Sequence, residues 1–467
     1  MDHRKAFEQA ERLSAIVYLN SLVIHKDSPT LGSAIEKMRE TEKDWPCRMD
    51  RLDWLKVMDG IQGDEALKAL RIIKVEDIEA TQPGLVRNGH RAVLLGDNSG
   101  RGYVIFRGTG SDEEWDDNAK GMLEAETLQQ QAAARFVQQI CGQFKHITVA
   151  GHSKGGNKAQ YATITLPETC IDCCFSFDGQ GFSMAFWGKY RDAIEKRKPI
   201  IHLASERRGF VHALGFPVKE TRYHIGRRGD PQKNLPHGYP LSYFHSPDAL
   251  RDAAGDIGPE SADNLIPATL NKLVTHFLET PKYSPHWEKT ASGLTSLMSQ
   301  TKRAEESASA IAQLLMVFVD LIASDVSFRR QVTEMVLKET DVLLASMDAA
   351  RAAYSPVWPG ALHDMGKKTA HHLAHLLAAD RKARRRFIET VRFIIALRHL
   401  LITGKQLKLS GYIGEWMHIT LKILSMTLGT LTPVLGKIQK ALHDRKKQQP
   451  FLELLDDWEA LEKSVIT

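Results

Sequence analysis

Hydrophobic residues recur at helical spacing through most of the first 85 residues. Two stretches show it well, FEQAERLSAIVYLNSLVI at 7–24 and LGSAIEKMRETEKDW at 31–45. Apolar residues three and four positions apart line one face of a helix. The pattern therefore predicts a mainly helical N-terminal segment over residues 1–85.

The pattern changes to short apolar runs separated by helices after residue 90. HRAVLLGDNSGRGYVIFRGT (90–109) contains two β-branched runs around an Asn-Ser-Gly-Arg-Gly turn, which is typical of a β-hairpin. Further strands are predicted at HITVAG (146–151), CCFSFDG (173–179) and PIIHLAS (199–205), each preceded by a helix, and then at ETRYHIGRR (220–228). Strands that alternate with helices predict an α/β fold with a mainly parallel sheet.

Helical periodicity dominates again from about residue 285, where glycine becomes scarce. A chain of 467 residues is also long for one core, which favours two domains. We therefore predict an α/β domain over 1–285, which includes the helical segment 1–85, and an all-helical C-terminal domain over 286–467.

Positive charge is concentrated in the C-terminal region. The whole chain carries a formal charge of +5, but residues 365–450 contain 17 Lys and Arg against 4 Asp and Glu. Basic residues interleaved with apolar helices favour contact with an anionic membrane surface. The alternative is a soluble helical bundle with a solvated basic face. No recognisable nucleic-acid-binding module is present, so no nucleic-acid partner is expected.

The cysteines and the N-terminus suggest a cytoplasmic protein. The chain has five cysteines, three of them in CIDCC (170–174), and its N-terminus lacks the apolar core of a signal peptide. An odd count without a leader favours reduced thiols, and no second ligand pair accompanies the Cys-x-x-Cys, so no metal is expected. Peripheral attachment to a membrane, or export without a cleavable signal, remains open.

One short motif carries candidate chemistry. Gly151-His152-Ser153-Lys154-Gly155 fits G-x-S-x-G, with the strand ITVA before it and the helix GGNKAQYATITL around and after its end. In a nucleophile elbow, a strained strand-to-helix turn exposes the serine hydroxyl, and the glycines at −2 and +2 relieve crowding. The pattern predicts that Ser153 is a nucleophile, with Gly151 and Gly155 as the elbow glycines.

A serine nucleophile needs a base and an acid, which follow it in the order acid then histidine in the α/β-hydrolase fold. Asp178 comes directly after a predicted strand and is the favoured acid, with Glu206 after the next strand as the alternative. His237 lies in the loop after the last predicted strand and is the favoured base. His245 is the alternative base, and His224 is less suitable because it lies within a strand pattern.

An oxyanion intermediate needs two hydrogen-bond donors. The backbone N–H of Lys154, directly after the serine, is one candidate. The loop VIFRGTG offers the second donor, with Gly108 and Thr109 at the end of a strand.

Together these motifs resemble a known family. YVIFRGT followed by VAGHSKGGNKAQYA is similar to the class 3 (fungal-type) lipases, and GHSKGGN (151–157) with FDGQGF (177–182) is closer still to bacterial lipase-like relatives. The resemblance covers roughly residues 90–250. It implies an α/β-hydrolase fold without cofactor, Ser153 as nucleophile, Thr109 and Lys154 as oxyanion donors, and a base near His237.

The sequence thus predicts a serine hydrolase that cleaves carboxylic esters, with a lipase or phospholipase as the first expectation. Two alternatives stay open: an inactive hydrolase-like scaffold that binds a protein or membrane, and an acyltransferase or thioesterase with the same residues. The headgroup and acyl chain of the substrate, the oligomeric state and the role of the helical C-terminal region are not determined by the sequence.

Overall fold

The structure of the chain is a computed structural model. It describes residues 3–43, 45–46, 49, 51–78, 89–111, 114–226, 244–252, 254–298, 313–314, 317–318, 320–322 and 324–352. The chain divides into two compact units, Met1–Ala310 and Ile311–Thr467. The first unit therefore continues beyond residue 285, the end of the predicted α/β domain.

The first unit is built on one sheet whose eight described strands lie side by side in chain order. They are β1 (Arg71–Ile78), β2 (His90–Gly96), β3 (Arg101–Phe106), β4 (His146–His152), β5 (Cys173–Phe177), β6 (Ile201–Glu206), β7 (Arg222–His224) and β8 (Glu260–Ser261). Strands β3 to β7 run parallel, whereas β1, β2 and β8 each pair antiparallel. The predicted α/β class with a mainly parallel sheet is thus confirmed for this unit.

Helices precede, connect and follow the strands. In chain order the described α-helices of the first unit are α1 (His3–Ile16), α2 (Asn20–Ile24), α3 (Leu31–Thr41), α4 (Arg51–Gln62), α5 (Glu65–Lys68), α6 (Trp115–Gly121), α7 (Leu128–Gln138), α8 (Lys154–Thr165), α9 (Met184–Arg197), α10 (Leu265–Glu279) and α11 (Trp287–Met298). Helices α7, α8 and α9 connect successive parallel strands, as the alternation in the sequence predicts.

The sheet is buried on both faces by two different sets of helices. On β2, Val93 and Leu95 belong to one core with the N-terminal helices, whereas Ala92 and Leu94 belong to the other core with α7, α8 and α9. Successive strand residues point to opposite faces, so this division follows from the period of two. Because the connecting helices cover a single face, the N-terminal helices are needed to remove the other face from water.

Two edge strands were not predicted. β1 lies in RIIKVEDI, where charged and apolar residues share an edge strand that is only partly buried. β8 is two residues long, too short to produce a periodic pattern. The hairpin predicted over 90–109 corresponds to β2 and β3, which pair antiparallel in register Ala92 to Phe106.

The second unit is described in its first part. Its longest described helix, α12 (Val326–Ala352), has Phe328, Val332 and Val336 on its buried side. The basic region 365–450 lies outside the described residues, and the predicted contact with a membrane surface stays a prediction. None of the described helices combines the length and the apolar character needed to cross a bilayer.

A disulfide joins Cys141, just after α7, to Cys170, just before β5. The expectation of reduced thiols is therefore wrong for these two residues. The spacing of the cysteines in the sequence does not indicate this pair, because the two residues lie in different connections between strands. Cys173 and Cys174 are free thiols on β5, and burial raises the pKa of each to about 12.

Candidate active site

The carboxyl ends of the parallel strands bring the candidate residues to one edge of the sheet. Ser153 follows β4, Asp178 follows β5 and Glu206 ends β6. Backbone hydrogen bonds from Ser153 N to Phe177 O (2.9 Å) and from Asp178 N to Ala204 O (2.7 Å) hold the first two positions. Parallel strands end at a common edge, so residues far apart in sequence meet there.

The backbone at Ser153 is strained, as the predicted nucleophile elbow requires. Ser153 has φ 60° and ψ −129°, a conformation that non-glycine residues rarely adopt. A Cβ at Gly151 would lie 2.3 Å from the carbonyl carbon of Gly155, and one at Gly155 would lie 2.1 Å from Phe106 O. Both glycines are therefore required by close backbone contact on either side of the serine.

A continuous hydrogen-bonded chain connects the serine to a histidine and an aspartate. His245 Nε2 lies 2.9 Å from Ser153 Oγ, and His245 Nδ1 lies 2.6 Å from Asp178 Oδ2. All three residues are buried. The segment that bears His245 is held against α1, because Arg251 Nε donates to Glu11 Oε2 at 2.8 Å.

The charge on Asp178 sets the direction of each hydrogen bond. Burial would raise the pKa of this carboxyl, but His245 and His212 outweigh burial and hold the pKa well below its usual value. An ionised carboxylate can only accept, so His245 Nδ1 carries the proton. His245 Nε2 is then left as the acceptor for the Ser153 hydroxyl, the state a general base requires.

The two predicted oxyanion donors, Lys154 and Thr109, belong to segments that adjoin Ser153. Lys154 is the first residue of α8, and a first-turn N–H has no carbonyl partner within its own helix. The loop after β3 packs directly against the serine, because a Cβ at Gly108 would lie 3.1 Å from Ser153 Cβ. The Thr109 hydroxyl accepts from Asn118 Nδ2 at 2.7 Å, which ties the loop to α6.

The Lys154 side chain forms a buried ion pair with Asp117 of α6. Its Nζ lies 2.9 Å from Asp117 Oδ2, and the two side chains are 1% and 0% exposed. Asp117 also accepts from Thr127 Oγ1 at 2.7 Å, which joins the start of α7 to the same group. The ion pair therefore links the helix that follows Ser153 to α6, the helix that follows the Thr109 loop.

The other sequence candidates lie elsewhere or outside the described residues. His237, the favoured base, is outside the described residues, whereas the alternative His245 makes the contacts above. Burial raises the pKa of Glu206, the alternative acid, to about 7, and its Oε2 accepts from Arg208 N at 2.6 Å. His224 is hydrogen-bonded through Nδ1 to Gly258 O at 2.9 Å.

Two contacts of the site come from residues that the sequence analysis did not single out. His212 Nδ1 lies 2.5 Å from Asp178 Oδ1, so the aspartate contacts two histidines. Tyr18, between α1 and α2, has its hydroxyl 3.0 Å from His152 Nδ1, and the His152 ring lies 4.5 Å from the His245 ring. Neither residue lies in a motif, and no local signal could have indicated these contacts.

In the part of the chain that the structure describes, no group of three or more His, Cys, Asp or Glu side chains is arranged to bind a metal ion.

A sequence profile of the Mbeg1-like family matches residues 86–205, about a quarter of the chain. The matched region includes Ser153 and Asp178 and ends before His212 and His245. No curated protein and no solved structure gives a significant match to this chain.

Proposed function

We propose that the protein is a serine hydrolase of the α/β-hydrolase class that cleaves carboxylic esters. One observation carries the proposal: Ser153, on a positive-φ turn between β4 and α8, is hydrogen-bonded to His245, which is hydrogen-bonded to Asp178. A serine hydroxyl is a weak nucleophile at neutral pH, and this arrangement supplies the base and the orienting acid.

The proposed reaction proceeds through an acyl-enzyme. Ser153 Oγ attacks the ester carbonyl carbon while its proton passes to His245 Nε2, and Asp178 stabilises the resulting imidazolium. The N–H of Lys154 and a donor from the Thr109 loop hold the oxyanion. The C–O bond to the alcohol then breaks, and the alcohol leaves with the proton from His245. Water, deprotonated by His245, attacks the acyl group and releases the acid.

A lipid ester is the proposed substrate class, which rests on the resemblance to lipases described above. A panel of p-nitrophenyl esters of increasing acyl length, followed by phospholipid and triacylglycerol substrates, tests this part of the proposal. A preference for short acyl chains without activity on lipid would indicate a general esterase instead.

A fluorophosphonate probe tests the function itself, because it phosphonylates serines activated by a neighbouring base. The wild-type protein is expected to be labelled at one serine, and Ser153→Ala should abolish both labelling and ester turnover. Ser99→Ala, in the β2–β3 turn, is the matched control and should leave both unchanged. A folded wild-type protein that is not labelled would contradict the proposal and favour the binding scaffold.

A further inference from the structure

Asp178 is held by a second histidine as well as by His245. His212, in the short 3₁₀ turn after β6, approaches the carboxylate from the other side: its Nδ1 is 2.5 Å and its backbone N is 3.0 Å from Asp178 Oδ1. His245 contacts the other oxygen, Oδ2. The two carboxylate oxygens are thus divided between the two histidines, and all three groups are buried.

The protons of His212 are assigned by the same reasoning as those of His245. The ionised carboxylate of Asp178 can only accept, so His212 Nδ1 carries a proton and donates it. His212 Nε2 lies 3.1 Å from Tyr223 Oη on β7. The tautomer of His212 that donates from Nδ1 has Nε2 as an acceptor, and the Tyr223 hydroxyl, which stays protonated because burial raises its pKa, lies within reach to donate to it. Tyr223 therefore fixes the His212 tautomer that donates to Asp178.

The loop that bears His212 is fitted closely around the carboxylate. A Cβ at Gly209 would lie 2.9 Å from Asp178 Oδ2 and 2.2 Å from Ser205 Oγ, so the loop passes directly over the acid. Asp178 itself has φ 44°, an uncommon conformation for a residue with a side chain. A strained backbone with a buried charge needs several donors to stay in a single orientation.

We propose that His212 is a positioning residue that keeps Asp178 ionised and oriented toward His245, with Tyr223 as its own orienting partner. The proposal rests on the proposed serine hydrolase function. A carboxyl that lost His212 would have fewer donors to offset its burial, and its protonated form would donate to His245 instead of accepting from it. His245 would then hold the wrong tautomer for deprotonating Ser153.

Two substitutions at position 212 separate the hydrogen bond from the space that the ring fills. His212→Leu removes the donor, and we expect kcat to fall by roughly 10- to 100-fold with KM nearly unchanged, because the loss is in alignment and not in substrate binding. His212→Asn places an amide N–H near the position of Nδ1, and kcat should stay within about three-fold of wild type. Tyr223→Phe should also lower kcat, by a smaller factor than His212→Leu.

His224→Leu is the matched control, because His224 is as buried as His212 (7% exposed) and its Nδ1 bonds the Gly258 carbonyl instead of Asp178. An equal loss of kcat in the control, or an unchanged kcat in His212→Leu, would overturn the proposal. If His212→Leu does not fold, the kcat of His212→Asn is compared with that of Tyr223→Phe. A kcat of His212→Asn that is no higher than that of Tyr223→Phe contradicts the role of the donor.

A proton NMR measurement tests the same inference without activity. The His245 Nδ1 proton bonded to Asp178 is expected as a far-downfield resonance that Asp178→Asn removes. His212→Leu should shift or broaden this resonance, whereas His224→Leu should not. If the resonance responds but Ser153 is never labelled, the positioning network stands and the hydrolase function fails. If Ser153 is labelled and the resonance is unchanged in His212→Leu, the positioning role fails.

Discussion

Removal of one partner of the buried ion pair between Lys154 and Asp117 should destabilise the first unit strongly. Both side chains are almost fully buried, with Nζ and Oδ2 2.9 Å apart, and Lys154 Nζ also donates to the Asp117 carbonyl at 3.2 Å. Removal of one partner leaves an uncompensated buried charge, which typically costs about 3–5 kcal/mol of unfolding free energy. We therefore expect Lys154→Met to destabilise this unit by that amount.

Local hydrogen exchange measured by mass spectrometry is the suitable assay, because a chain with two units does not unfold in one step. Peptides from α6 and α8 should lose protection in Lys154→Met. Lys68→Met is the control: Lys68 pairs with Glu65 at the surface, with side chains 38% and 83% exposed. A surface pair is typically worth about 0–1 kcal/mol, so this variant should change little.

The double variant Lys154→Met/Asp117→Leu completes the test. Replacement of both charges by apolar groups removes the unpaired charge, so the double variant should be more stable than Lys154→Met alone. Two results would contradict this reasoning. One is a loss of unfolding free energy in Lys154→Met no larger than in Lys68→Met. The other is a loss in the double variant equal to the sum of the losses in Lys154→Met and Asp117→Leu.

Two further predictions concern stability. Reduction of the disulfide between Cys141 and Cys170, which closes a 29-residue separation, should lower the unfolding free energy by about 3–4 kcal/mol; a urea transition unaffected by reductant would contradict this. Burial raises the pKa of Glu206 in the folded protein from its usual 4.5 to about 7, so its stabilising contribution is complete below about pH 4.5 and is lost as pH rises through about 7. The loss should be about 3 kcal/mol, and Glu206→Gln should flatten this part of the pH–stability curve, whereas Glu65→Gln, at the surface, should not.

The elbow is the part of the site that local sequence could predict. A strand, a serine between glycines and a helix are consecutive in the chain, and the steric reason for each glycine is a contact within five residues of the serine or with the neighbouring strand. Asp178 could be predicted almost as well, because the end of one parallel strand lies beside the end of the next. Both inferences need only the strand order and the direction of the chain.

The base could not be chosen from the sequence, because His237 and His245 are eight residues apart in a stretch of sequence without a clear periodic pattern. A loop has no period that relates position to direction, so only the folded chain reveals that His245 reaches Ser153 across 92 residues and Asp178 across 67. His212 and Tyr18 were missed for the same reason, since each enters the site from an element without a motif.

The sequence alone determined the alternation of strands and helices, the strained serine turn and the position of an acid at the neighbouring strand end, because each depends on residues close together in the chain. Tertiary structure decided which imidazole contacts the serine and that a second imidazole contacts the acid. It also decided that the N-terminal helices cover the face of the sheet opposite to α7, α8 and α9. These depend on packing between distant segments, which hydrophobic periodicity requires but does not specify.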